Sequence, residues 1–316
     1  MTDSIRRFRR WAITSTVATY LLIFIGGLVR VSGAGLGCPD WPKCFGRWIP
    51  PTDVSQLPAT IDPALFNFTL AWIEYINRLV GVLIGLFIVI TAFLAIKNFR
   101  HVQRILYPSI AAALLVAYQG WQGSQVVASN LEPFIISIHM VLALVIVSLL
   151  IYISQQAYYL ENPAMESQAG YPEKAPGWMG GLWAISLIQI VLGTQVRSAI
   201  SRAAAQNPLL HETALLQTAD PLNYIHGMLG VLLAGGTWFF ADRIIKQSRN
   251  PSPIVSYGAR ILIVLVAAQI IIGATLIGFD LPDLMQLYHL WTASLYIGVL
   301  LLIFSALRQK EFVHEQ

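Results

Sequence analysis

This chain carries little charge. Asp, Glu, Lys and Arg together make up only 11% of its 316 residues, against 56% hydrophobic residues and a mean hydropathy of +0.63. That balance excludes an ordinary soluble globule and predicts a polytopic membrane protein. The basic residues are dispersed among turns, so the formal charge of +4 reads as membrane topology and gives no footprint for nucleic acid. No short apolar run with a small-residue cleavage site opens the chain. Its first apolar segment is long and runs into Arg30, so it is expected to stay as a helix rather than leave as a signal peptide. Cysteine is limited to Cys38 and Cys44, and the adjacent His211 and Glu212 have no recognisable metal-ligand spacing. The distinctive polar residues crowd one side of the membrane instead of its midplane, which argues against a transporter built from bundled repeats.

Apolar runs are what the chain has in abundance. Eight of them, near 11–31, 71–96, 105–127, 133–156, 178–199, 222–243, 256–278 and 285–306, approach the roughly 20 residues a helix needs to cross the hydrocarbon layer. The predicted fold is an all-α integral membrane protein with eight transmembrane helices in two pseudo-symmetric four-helix bundles. Residues 1–160 form the first bundle with a long outer loop, 161–177 a cytoplasmic linker, and 178–316 the second bundle. Arg6, Arg7, Arg9, Arg10, Lys97, Arg100, Arg104, Lys174, Arg243, Lys246, Arg249, Arg260, Arg308 and Lys310 fall on one side, with fewer on the other. The positive-inside rule then puts both termini in the cytoplasm.

The halves follow one template. IGGLVRVSGAG and VLGTQVRSAIS pair Arg30 with Arg197, and Gln119 and Gly123 pair with Gln269 and Gly273. His139 follows Gln119 by 20 residues, and His289 follows Gln269 by 20. EYINR and NYIHG pair Asn77 with His226 and Glu74 with Asn223. Four crossings per half return the chain to its starting side, so the repeats are parallel. The aligned positions lie near the outer helix ends, toward the outer leaflet.

Two imidazoles from different helices are what it takes to hold a haem iron from both faces, and His226 with His289 offers such a pair. Gly227, Gly230 and Gly273 leave room for a flat macrocycle there; the competing reading is close helix packing with histidines bonding across it. In the first half His139 faces Asn77, an amide that is a poor iron ligand. A haem there would be five-coordinate through His139 or hold water or oxygen at its sixth position; otherwise His139 simply bonds Asn77. Glu74 shares a helix face with Asn77 and precedes Arg78 by four. It either steadies charge or moves a proton beside a macrocycle, or pairs with Arg78. Arg30, Arg78 and Arg197 are suited either to haem propionates or to interfacial anchoring. Gln119 and Gln269 are read as helix cross-links.

Cys38 and Cys44 sit in GLGCPDWPKCFG, in the first outer loop. In an oxidising compartment they form a structural bridge, a redox-active pair, or remain free thiols. The loop 32–70, with Trp41 and Trp48, is long enough to fold over the first-half pocket or to receive a protein partner.

The segments IGGLVRVSGAGLGCPDWPKC, EYINRLVG, QGWQG, ISIHM, NYIHGMLG and LYHLW together resemble the haem A synthase family of cytochrome oxidase assembly proteins, over nearly the whole chain. The resemblance implies oxidation of the methyl group at ring position eight of haem O to the formyl group of haem A, through a hydroxylated intermediate. It implies His226 and His289 as axial ligands of a resident haem b, His139 as a ligand in the substrate site, and Glu74 as the catalytic carboxylate. It also makes Cys38 and Cys44 the family's first-loop pair. Asn77 departs from the family's EYIHR, and loop 200–221 lacks the second cysteine pair of some relatives. Expected partners are haem O synthase (a farnesyltransferase), cytochrome oxidase assembly factors, a membrane electron donor and further copies of the chain. The alternative function is a non-enzymatic membrane b-type cytochrome for electron transfer or haem storage.

Overall fold

The computed structural model describes residues 2–163, 170–207, 209, 212–249 and 251–309. Eight long helices dominate: α1 Thr2–Val31, α2 Phe68–Asn98, α3 Gln103–Ala128, α4 Pro133–Glu161, α5 Ala175–Gln206, α6 Leu222–Gln247, α7 Pro253–Gly278 and α8 Asp283–Arg308. Each contains one of the apolar segments read from the sequence. Seven are long and apolar enough to cross a membrane. The eighth, α3, carries Gln119, Gln122, Ser124 and Gln125 in its second half. The protein is therefore an all-α, multi-span membrane protein. His211, Lys310 and His314 lie outside the described residues.

Packing follows the repeat. The first four helices touch in a cycle, α1 on α2, α2 on α3, α3 on α4 and α4 on α1, and α5 to α8 close the same cycle. Contacts of α1 and α4 with α8, and of α4 with α5, join the two sets. Each set has an apolar core at one end. Phe8, Ile88, Ile105, Leu150 and Ile153 fill the first, and Met179, Ile244, Leu262, Leu300 and Ile303 the second. Outward residues such as Val82 (73% exposed) and Val264 (67%) are apolar too, as a lipid-facing surface requires. Burial in lipid gives little hydrophobic gain, so close fit and polar cross-links hold the helices together. Ser15 and Thr91 hydroxyls bond at 3.1 Å, Gln195 Nε2 donates to Ser137 Oγ at 2.9 Å, and Gln155 Nε2 donates to the Leu302 carbonyl at 3.1 Å.

The histidines sit at the opposite end from these cores, and a repeated turn sets their height. Asn130 and Leu131 before α4, and Asp280 and Leu281 before α8, adopt left-handed backbone angles. Leu131 N donates to Val126 O and Leu281 N to Leu276 O, each at 3.0 Å. Asn and Asp tolerate this region better than most residues, and the turn places His139 and His289 at equivalent steps along their helices.

The long first loop folds on itself beside α2. Cys38 and Cys44 form a disulfide, with Cα atoms 4.7 Å apart, and pack with Phe45, Ala71, Leu57 and Phe66. Asp40 Oδ1 and Oδ2 accept from Phe45 N at 2.6 Å and Gly46 N at 2.9 Å, which closes the cysteine turn. Gly37 must lack a side chain: a Cβ there would lie 2.3 Å from Leu70 O, at the start of α2.

Candidate functional site

His226 on α6 and His289 on α8 face one another, their ring centroids 6.3 Å apart and their planes inclined by 67°. An ion midway between two imidazoles bonded at about 2.0–2.1 Å, with roughly 1.1 Å more from each nitrogen to its ring centre, sets the centres roughly 6.2–6.4 Å apart. The pair therefore has the spacing of two axial ligands, and not of two rings in direct hydrogen bond. Nδ1 of each ring is buried without a hydrogen-bond partner. Among the described residues no group of three or more His, Cys, Asp or Glu gathers to hold a bare ion, whereas a haem asks only two imidazoles of the protein. The residues present fit a haem.

The backbone around each histidine is braced from a neighbouring helix. Gln119 Nε2 donates to the His139 carbonyl at 3.0 Å, Gln269 Nε2 to that of His289 at 2.8 Å, and Gln189 Nε2 to that of His226 at 2.8 Å. Gln269 also reaches Thr292 Oγ1. The first two are the cross-links expected from the repeat. Gln189 was not singled out in the sequence, because its repeat mate is Leu22 and the pairing is invisible in a list of shared residues. Gly193 is matched by Gly26 in the repeat, but its role exists only across helices: it faces the His226 ring so closely that a Cβ would lie 2.8 Å from Cε1.

In the first half a cavity of about 1350 Å³ is lined by Asn77, His139, Glu74, Gln119 and Gly123, and reaches Arg30, Arg78 and Arg197. Its wall is not confined to the first four helices, since Ser198, Ser201 and Arg202 of α5 and Leu290 of α8 contribute. Trp41, Pro42, Trp48 and Ile49 of the long loop line it as well, in keeping with the first of the two roles its length allowed, covering this pocket or receiving a protein partner. Asn77 Oδ1 and His139 Nδ1 are buried and lack hydrogen-bond partners.

Glu74 is 4% exposed and doubly held. Its Oε2 accepts from Cys38 N at 2.7 Å and its Oε1 pairs with Arg78 Nη2. Arg78 in turn donates from Nη1 to the carbonyls of Asp40 at 2.8 Å and Lys43 at 2.9 Å. The pairing that the four-residue spacing allowed is present, and it fastens the disulfide loop to α2. Arg30 is also engaged, with Met140 Sδ at 3.2 Å, the Thr194 carbonyl at 3.2 Å and Ser198 Oγ at 3.3 Å. The Arg197 guanidinium has no hydrogen-bond or ion-pair partner among the described residues and lines the cavity.

Residues 9–301 match the COX15-CtaA family model, described as cytochrome oxidase assembly protein. The chain belongs to this family. Among relatives, the haem A synthase of Geobacillus thermodenitrificans is 24% identical over 322 residues, covering 96% of this chain and 93% of that protein. That of Shewanella oneidensis is 31% identical over 145 residues, and that of Alkalihalophilus pseudofirmus 30% over 135. These two matches span less than half of each relative, 43% and 41% of their lengths. Within the COX15-CtaA family frame, the His226–His289 pair and the cavity around His139 and Asn77 are the two candidate centres.

Proposed function

We propose that this chain is a haem A synthase, oxidising the ring position eight methyl group of haem O to the formyl group of haem A through a hydroxylated intermediate. The observation that carries the reading is the His226–His289 pair, set at the spacing of two axial ligands on helices that repeat the walls of a macrocycle-sized cavity. Family membership and the haem A synthases aligned along the chain support it.

A resident haem b between His226 and His289 supplies electron-transfer chemistry when bound. Haem O is the substrate and takes the first-half cavity, with His139 as its protein ligand. Arg197, unengaged by other side chains among the described residues, is the first receiver of the substrate's carboxylates, while Arg30 and Arg78 already hold carbonyl and side-chain acceptors. Glu74 lines the cavity as a carboxylate fixed by Arg78 and the Cys38 amide, positioned to steady positive charge or move a proton. Trp41 and Trp48 of the long loop line the cavity wall. In this reading all eight helices span the membrane as two parallel four-helix bundles, residues 1–160 and 178–316 joined by 161–177. Both termini are cytoplasmic, and the sites lie toward the outer leaflet. Haem O synthase, assembly factors, a membrane electron donor and further copies of the chain are its expected partners.

The test supplies the purified protein with haem O, oxygen and an electron source and follows hydroxylated and formyl products by chromatography. Product excludes a non-enzymatic b-type cytochrome. Absence of product from both this chain and its Asn77→His variant, each carrying full low-spin haem, overturns the enzyme reading. Replacing His226 or His289 by Ala should remove the low-spin signal; an unchanged bis-histidine spectrum would refute that ligand pair.

A further inference from the structure

We infer that the first-half site holds its macrocycle from one face only, through His139, and keeps the opposite face as a pocket for a small neutral ligand, lined by Gly26 and Asn77. The inference rests on the reading that this cavity takes a haem-class macrocycle.

The two centres share one wall and differ in the other. On the shared wall, a Cβ at Gly123 would lie 3.6 Å from His139 Cε1, and one at Gly273 would lie 3.6 Å from His289 Cε1. The glutamine braces on the two histidine carbonyls match as well, at 3.0 and 2.8 Å. On the other wall of the second half, Gly193 is backed by the His226 ring, and Gln189 holds the His226 carbonyl while lying 3.2 Å from a Cβ at Gly230.

Counting back four residues from Arg197 and Arg30 makes Gly26 the mate of Gly193; counting back eight makes Leu22 the mate of Gln189. Gly81 is likewise the mate of Gly230, and a Cβ there would meet Leu22 at 4.0 Å, so helix packing is kept. A Cβ at Gly26 would meet nothing within 4 Å. The imidazole that fills this place in the second half has no counterpart here, and no described protein atom lies within 4 Å of that Cβ. Asn77 lines the same cavity with its Oδ1 buried and without a partner. A buried carboxamide is left unsatisfied at a cost of about 1–3 kcal/mol unless something polar reaches it. Its orphaned Oδ1 can accept a hydrogen bond from water and its Nδ2 can donate one to a diatomic molecule, while the amide competes poorly for iron. A cradle with one strong ligand, a void opposite and an unsatisfied amide at the void's edge is suited to a diatomic molecule or water.

The experiment uses the full chain purified with both centres loaded with haem, reduced without oxygen, and titrated with carbon monoxide as the probe. Optical spectra should show part of the haem, equal to the share lost in His139→Ala, shifting to a carbon monoxide adduct while the remainder stays low-spin. Asn77→His should keep the haem content and lose the carbon monoxide response. Asn77→Leu should keep the response and raise the infrared C–O stretch, because the amide donor is gone. A first-site haem that is present but low-spin and unresponsive to carbon monoxide would overturn the open face. An unshifted stretch in Asn77→Leu would overturn the role of the amide. If His139→Ala changes neither haem content nor spectrum, the macrocycle is not in this cavity, and the reading of the first site fails together with the inference.

Discussion

Gly193 seats the His226 ring, and a single methyl group tests that seat. A methyl group placed on it by Gly193→Ala would stand 2.8 Å from His226 Cε1 and 3.4 Å from both ring nitrogens. Ordinary carbon contacts begin near 3.4 Å, so the ring must retreat by about 0.6 Å or the helices must part. Overpacking of this kind costs about 1–3 kcal/mol, offset in part by the about 0.5–1 kcal/mol that Ala gains over Gly inside a helix. Protein without haem is therefore expected to lose about 2.5 kcal/mol at most. The holoprotein suffers more, since a retreat of 0.6 Å is a large fraction of a bond of about 2.0–2.1 Å. The low-spin signal should weaken, and haem should be lost faster to an acceptor protein. Gly26→Ala, at the repeat-related position with nothing within 4 Å, is the control. It should leave the low-spin signal of the second half unchanged. Electron paramagnetic resonance, haem release rates and thermal unfolding of the two variants side by side make the measurement. Equal low-spin signals and equal release rates in both would refute the account of how His226 is seated.

Three further changes probe the first half. Gly37→Ala drives a Cβ to 2.3 Å from Leu70 O, a backbone atom that cannot swing aside, so limited proteolysis should find the first loop detached from α2. Glu74→Gln leaves Arg78, only 14% exposed, without its carboxylate; thermal unfolding should reveal a loss of about 3 kcal/mol or more, with second-half haem content unaltered. Replacing both Cys38 and Cys44 by Ser removes a crosslink spanning six positions, worth about 2 kcal/mol by chain entropy. The denaturant midpoint should fall accordingly, and an unchanged midpoint would show that Glu74 and Arg78 hold the loop unaided.

The helices were legible because hydrophobic runs of that length leave the backbone no alternative in lipid. The repeat was legible too, since shared residues such as Gln119 and Gln269 keep a fixed spacing to the histidines. What escaped were roles that exist only across helices. Gly193 is unremarkable among glycines until the His226 ring is placed on it, and Gln189 matters because Leu22 replaces it in the other half. Glu74 was recognised as a buried carboxylate four residues before Arg78. Its second partner, the Cys38 amide, depends on how a 36-residue separation closes. The reach of α5 into the first cavity has no local signal at all, because it depends on how α4 and α5 meet.

That reach makes the two halves interdependent. A duplicated unit that merely sits beside its twin can be cut away and still function. Here Ser198, Ser201 and Arg202 of α5 complete the cavity of the first four helices, and Arg30 of α1 is held by Thr194 and Ser198. A fragment ending at residue 163 would have a breach in its pocket wall, and Arg30 would keep Met140 Sδ but lose Thr194 and Ser198. The first centre is built from both halves, so a mutation on α5 is as much a mutation of the first centre as of the second.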